Sequence, residues 1–149
     1  MSTTTFSGPV RSLNGFINFG PTAAVSLTAN TTLTMNNHAG RILLCNDADG
    51  KFTLPSITTG SAGSTAGSND PNVASNLGAT YTFIVQTAAT DMDILTDGTD
   101  KFIGFAKSLV STAATGSAWF PAASNDVMTF NGTTSGGIVG TIIKVTAVA

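Results

Sequence analysis

The stretch Tyr81-Thr82-Phe83-Ile84-Val85-Gln86 decides the fold class. Aromatic and β-branched side chains fill it, and these suit a pleated, half-buried surface better than a helix. It reads as a strand, and the same signature returns on both sides in short pieces. Upstream, Val25, Leu27 and Ala29 alternate with Ser26 and Thr28, the period of a strand with one buried face. Arg41 to Cys45 is a short apolar strand, and Lys51-Phe52-Thr53-Leu54 is another that Pro55 ends. Between them Asp47-Ala48-Asp49-Gly50 is a strong turn signal, since Asp tolerates left-handed backbone and Gly supplies it. Residues 41–54 are therefore expected to form a hairpin. Residues 33–40, around Asn36-Asn37-His38-Ala39, suggest a single helical or turn segment.

Downstream, Asp91 to Ile94 is a short strand followed by the turn Thr96-Asp97-Gly98-Thr99. Phe102 to Ala106 and Ser117 to Phe120 are expected strands, the second stopped by Pro121. Val127-Met128-Thr129-Phe130 runs into Asn131-Gly132, a hairpin cue. Ile138 to Val148 closes the chain as a strand, with Ile143, Val145 and Ala147 set against Lys144 and Thr146. Eight or nine short strands at roughly ten-residue spacing point to an all-β domain, a small antiparallel β-sandwich or jelly-roll-like barrel. No ten-residue helix is convincing, and no sequence repeat of the solenoid kind is visible.

Two segments stand apart. Residues 1–20 have no periodicity, yet Phe6, Val10, Leu13, Phe16, Ile17 and Phe19 sit there among Gly, Pro and Asn. They form an N-terminal arm whose apolar residues pad the domain's own core or contact a neighbouring subunit. Residues 21–149 make one β domain. Within it, 58–76 (TTGSAGSTAGSNDPNVASN) holds too little apolar area to offset its ordering entropy and reads as a flexible surface loop.

Composition narrows the function classes. There is no glutamate in the 149 residues, and charged residues make up 9% of the chain against about 25% in an ordinary soluble domain. Solubility must come from a Thr- and Asn-rich surface or from burial against partner subunits. The six cations, Arg11, Arg41, Lys51, Lys101, Lys107 and Lys144, are scattered and the net charge is −2, which leaves no footprint for nucleic acid. No apolar run is long enough for a membrane span, and the N-terminus lacks the pattern of a secretory signal. The single cysteine, Cys45, lies in an apolar run and reads as a buried free thiol suited to a reducing compartment.

Candidate chemistry is thin. His38 is the one histidine; a hydrolase would need it beside a carboxylate and a nucleophile, but its place at a turn favours a structural hydrogen bond. Aspartates 47/49, 91/93 and 97/100 come in pairs, and oxygen ligands suit calcium. Yet 47–50 lacks the remainder of a calcium loop, and turn chemistry accounts for Asp47, Asp49 and Asp97. Asp91 and Asp93 would share one strand face and invite a cation or a lysine. Neither Gly50-Lys51 nor residues 60–67 completes a phosphate-binding loop. The expectation is no enzyme and no cofactor.

Three passages carry a family likeness. Leu33-Thr34 with His38-Ala39-Gly40-Arg41, Asp49-Gly50, Leu54-Pro55 and Gly78-Ala79-Thr80-Tyr81-Thr82-Phe83 resembles small β-domain virion proteins of tailed bacteriophages. Thr87 to Phe102 and Ala122 to Gly140 are similar to proteins of phages that infect cyanobacteria. The resemblance spans residues 25–146 and implies a capsid decoration (cement) protein. It implies a homotrimer that binds the phage major capsid protein between capsomers, on the capsid exterior, after synthesis in the host cytoplasm. No catalytic residues come with it. The arm residues Phe6 to Phe19 are the candidate contacts to a neighbour or to the capsid floor. The alternative is a head-fibre, knob or tail-associated β-domain that contacts the host surface. A carbohydrate-binding module would need exposed aromatics; Tyr81 and Trp119 are available, although Trp119 beside Phe120 and Pro121 reads as core or interface.

Overall fold

The computed structural model describes residues 20, 23–58, 76–104, 106–109 and 116–148, with side chains left out of account over 106–109 and 116–119. Where aromatic and β-branched residues were read as strands, strands form. They are β1 (Ala24–Leu27), β2 (Thr31–Thr32), β3 (Ile42–Cys45), β4 (Lys51–Thr53), β5 (Thr80–Val85), β6 (Met92–Leu95), β7 (Ala106–Leu109), β8 (Gly116–Trp119), β9 (Val127–Phe130) and β10 (Ile142–Thr146). One helical turn, α1 (Met35–His38), interrupts them. The described chain is all-β, but of the strand expected over Phe102 to Ala106 residues 102–104 are not strand and Ala106 opens β7, and the last strand is shorter than the run from Ile138 to Val148.

The strands make two four-stranded sheets and a separate β7–β8 pair. Sheet A has the order β1-β3-β5-β10 and sheet B the order β2-β4-β6-β9. In both, the first two pairings are parallel and the last is antiparallel. The expected all-antiparallel sandwich is thus corrected to two mixed, open sheets. The expected hairpin over 41–54 is also absent, because β3 lies in sheet A and β4 in sheet B. The Asn131-Gly132 turn does not close a hairpin either: β9 pairs with β6, and β10 with β5.

The reason is a coil. Each pass of the chain lays one strand in sheet A and the next in sheet B, so β1–β2, β3–β4 and β5–β6 stack as three successive turns. Ala24 aligns with Ile42 and Ile42 with Thr82; in sheet B, Thr31 aligns with Phe52 and Phe52 with Ile94. That is a solenoid-like period of about 20 residues in the first step and about 40 in the second. The second is longer because it carries the segment between Thr58 and Asn76, which hides the repeat in the sequence. A final pass runs in reverse, β9 on sheet B and then β10 on sheet A, and caps the stack.

The core lies between the sheets. Val25, Leu43, Phe83 and Ile143 form one inward row of sheet A, and Leu27, Cys45 and Val85 the next. Phe52, Ile94 and Met128 face them from sheet B. The rings of Phe52 and Phe83 stack with centroids 6.3 Å apart and planes 22° apart, and this joins the two sheets directly. The base of the inserted segment is clamped by Asn76. Its Oδ1 accepts the Thr58 backbone N–H at 2.8 Å and its Nδ2 donates to the Ser56 carbonyl at 2.7 Å.

Candidate functional site

The outer faces of the two sheets differ in chemistry. On sheet B the side chains opposite the core include a polar row, Lys51–Asp93–Thr129. Lys51 Nζ stands 3.5 Å from Asp93 Oδ2, and Thr129 Oγ1 donates to Asp93 Oδ1 at 2.6 Å. Asp93 is itself buried, and these two contacts satisfy its carboxylate.

On sheet A the corresponding row is Ser26–Leu44–Ile84–Ile142, and the row beside it Ala24–Ile42–Thr82–Lys144. Leu44 and Ile84 are half-buried, while Ile42 is 41% and Ile142 66% exposed. Ile138 and Val139, in the turn that leads into β10, are exposed as well. Lys144 is the one charge in these two rows. The outer side of sheet A is thus mixed, with Ile42, Leu44, Ile84 and Ile142 set among Ser26, Thr80, Thr82, Lys144 and Thr146, and its inner side meets sheet B. The sequence carries the sign of this: Ile42-Leu43-Leu44-Cys45, Phe83-Ile84-Val85 and Ile142-Ile143 do not alternate, as expected of strands covered on both faces. The sequence reading placed the candidate contacts in the arm and missed this face.

The residues singled out from sequence fall as follows. Phe6, Val10, Leu13, Phe16, Ile17 and Phe19 lie outside the described residues, as do most of 58–76 and the Trp119 side chain. His38 is buried, and its Nδ1 accepts the Thr34 backbone N–H at 2.9 Å, with Thr34 Oγ1 at 3.3 Å. The imidazole thus closes the first turn of α1, where Thr34 makes no side-chain cap. Asp91 lies outside β6 and Asp93 inside it, where Lys51 supplies the cation that the pair was expected to invite. Asp97 is a turn residue. Its Oδ1 accepts the N–H groups of Asp100 and Thr99, and its Oδ2 the Ser56 hydroxyl. The Asp100 N–H and then the Ser56 hydroxyl hold its carboxyl below the usual range. Among the described residues no three His, Cys or Asp side chains gather as a metal site, and no helix is long and apolar enough to cross a membrane.

Two shallow depressions flank the fold. One, lined by Thr28, Asn30, Asp47, Asp49 and Lys51, is wide open. The other lies between α1 and the Ser56–Asn76 clamp. Neither holds a base beside a nucleophile. Among the described residues the large apolar side chains most exposed are Phe120, Ile103 and Ile142, the last on the outer face of sheet A. In comparisons with protein-family models, with curated proteins and with solved structures, nothing matches this chain.

Proposed function

We propose that this chain is a structural virion protein, a capsid cement or decoration protein that acts as a homotrimer. It binds the phage major capsid protein between capsomers and stabilises the head. The observation that carries the reading is the outer face of sheet A, where the half-buried Leu44 and Ile84 lie beside the exposed Ile42 and Ile142. A β-domain with so few charges has little else to guard its edges and faces, and closed assembly does that work. The likeness to small phage β-domain proteins points the same way. A clamp that touches several capsomers lowers the free energy of the closed shell by many weak contacts at once, and multivalency makes their sum tight.

The test is the copy number in purified virions of the phage that encodes the protein, by quantitative mass spectrometry, with immunogold labelling of intact particles. A cement protein is expected at hundreds of copies spread over the head. A few copies confined to a vertex or the tail would replace this reading with the fibre or knob alternative. Absence from the particle would sink both.

A further inference from the structure

The Asn131-Gly132 pair closes no hairpin, yet the loop it opens is closely built. Asn131 Oδ1 accepts the N–H groups of Thr133 and Ser135, each at 3.0 Å, and the Thr133 hydroxyl at 3.1 Å. Its Nδ2 donates to Thr134 Oγ1 at 2.9 Å, and its backbone N–H to Ser135 Oγ at 3.0 Å. The Gly132 N–H donates to the Gly136 carbonyl at 2.7 Å. The loop is seated on the turn between β5 and β6. There the Gly137 carbonyl accepts the Ala89 N–H at 2.9 Å, and a Cβ on Gly132 would collide with the Ala89 carbonyl.

Asn-Gly is also a dipeptide prone to attack on itself, because a glycine without Cβ leaves its own amide nitrogen unshielded. In that reaction the Gly132 nitrogen attacks Asn131 Cγ. A Cγ–N bond forms, the Cγ–Nδ2 bond breaks, and ammonia leaves with the proton that the Gly132 amide gives up. Water then opens the cyclic imide at one carbonyl or the other, leaving an aspartyl or an isoaspartyl link. The fold opposes the attack at both partners. Gly136 engages the Gly132 N–H, so the nitrogen keeps its proton and its orientation. The Asn131 amide is held at its oxygen by Thr133 and Ser135 and at its nitrogen by Thr134, so Cγ does not turn towards Gly132. Attack waits for the loop to open. An isoaspartyl link then adds a backbone carbon where Ala89 leaves no space.

We propose that Asn131-Gly132 is a latent self-modification site, locked in the folded chain. Its conversion to an aspartyl or isoaspartyl link proceeds through opening of the loop 131–137, and the isoaspartyl product records that opening irreversibly.

The full chain carries its own control, because Asn14-Gly15 is the same dipeptide. The chain is held at mildly alkaline pH with and without guanidinium, and peptide mapping by mass spectrometry reads the conversion of amide to acid at both sites. In guanidinium Asn14 and Asn131 are expected to convert at similar rates. In the folded chain Asn131 is expected to convert more slowly than in guanidinium by roughly tenfold or more, the change that about 1.4 kcal/mol of opening free energy produces. Thr134→Val and Ser135→Ala each remove one partner of Asn131. Each is expected to speed conversion in the folded chain by roughly fivefold, the effect of one hydrogen bond, and to leave the rate in guanidinium unchanged. Equal rates with and without guanidinium would overturn the inference. So would a faster rate in the folded chain, which would make the N–H groups on Asn131 Oδ1 an oxyanion hole that promotes the attack. Variants that convert no faster than the parent would also overturn it, since the hydrogen bonds would not be the lock. After refolding, chains with an isoaspartyl link at Asn131 are expected to be cleaved by chymotrypsin after Phe130 ahead of unmodified chains in the same sample. Cleavage without that preference would show that the loop re-forms and would overturn the irreversible record.

Discussion

Replacing Phe52 by Ala tests the join between the sheets. Phe52 is fully buried in β4, and its ring stacks on Phe83 of β5 in the other sheet. A buried aromatic removes roughly 150–250 Å² from water, which at about 25 cal/mol per Å² gives about 4–6 kcal/mol. Measured truncations of this kind cost about 3–5 kcal/mol, so about 4 kcal/mol is expected here. That is about a quarter or more of the stability of an ordinary domain, roughly 5–15 kcal/mol. In a chain of this size it lowers the melting temperature by about 8–16 °C. The assay is urea unfolding of the wild type, Phe52→Ala, Phe83→Ala and the double variant. The double variant should be less destabilised than the sum of the singles by about 0.5–1.5 kcal/mol, the coupling of one ring pair. Additive effects would refute the reasoning. They would mean that the rings do not meet, as in the hairpin over 41–54 that the sequence suggests.

Tyr81 is buried opposite Val145, and its hydroxyl has no hydrogen-bond partner among the described residues, so Tyr81→Phe is expected to raise stability by about 1 kcal/mol in thermal unfolding; a loss of that size would reveal a partner for the hydroxyl. Asp93→Ala should cost about 1–2 kcal/mol by removing the acceptor of Thr129, whereas Lys51→Met, at the exposed end of the ion pair, should cost under about 1 kcal/mol. Equal costs in urea titrations would show that the ion pair, not the hydrogen bond, is the stabilising contact. Burial pushes the Cys45 thiol from its ordinary 9.0 up to about 12, so the folded state keeps a proton that the unfolded state releases. Its contribution is complete below pH 9 and is lost as pH rises from 9 towards 12. Burial raises Tyr81 in the same sense. Urea midpoints should therefore fall between pH 8 and pH 10.5, and less steeply in Cys45→Ala; identical slopes would sink the assignment.

The strands were legible in the sequence because strand formation is local. Aromatic and β-branched runs bounded by Asp, Gly and Pro mark β3, β5 and β9 almost residue for residue, and the polar row of sheet B is foreshadowed by Asp93 facing a cation. A structural hydrogen bond at His38 was legible from its place at a turn, whereas its partner, the Thr34 N–H, was not. Strand partners were not legible. A turn such as Asp47 to Gly50 reverses or bends the chain equally well on paper. Whether β4 returns beside β3 or crosses to face it depends on where Phe52 finds a buried surface, and that surface belongs to Phe83, far along the chain. The period of the coil was masked by the segment between Thr58 and Asn76, which adds length without adding a strand. The outer row of sheet A became visible only after the sheets were paired: Leu44, Ile84 and Ile142 lie far apart in sequence, and hydrogen-bond register alone sets them side by side. The chain's own residues thus determined that it is built of strands and short of charge. Long-range packing decided which strands meet and which apolar side chains remain outside the core.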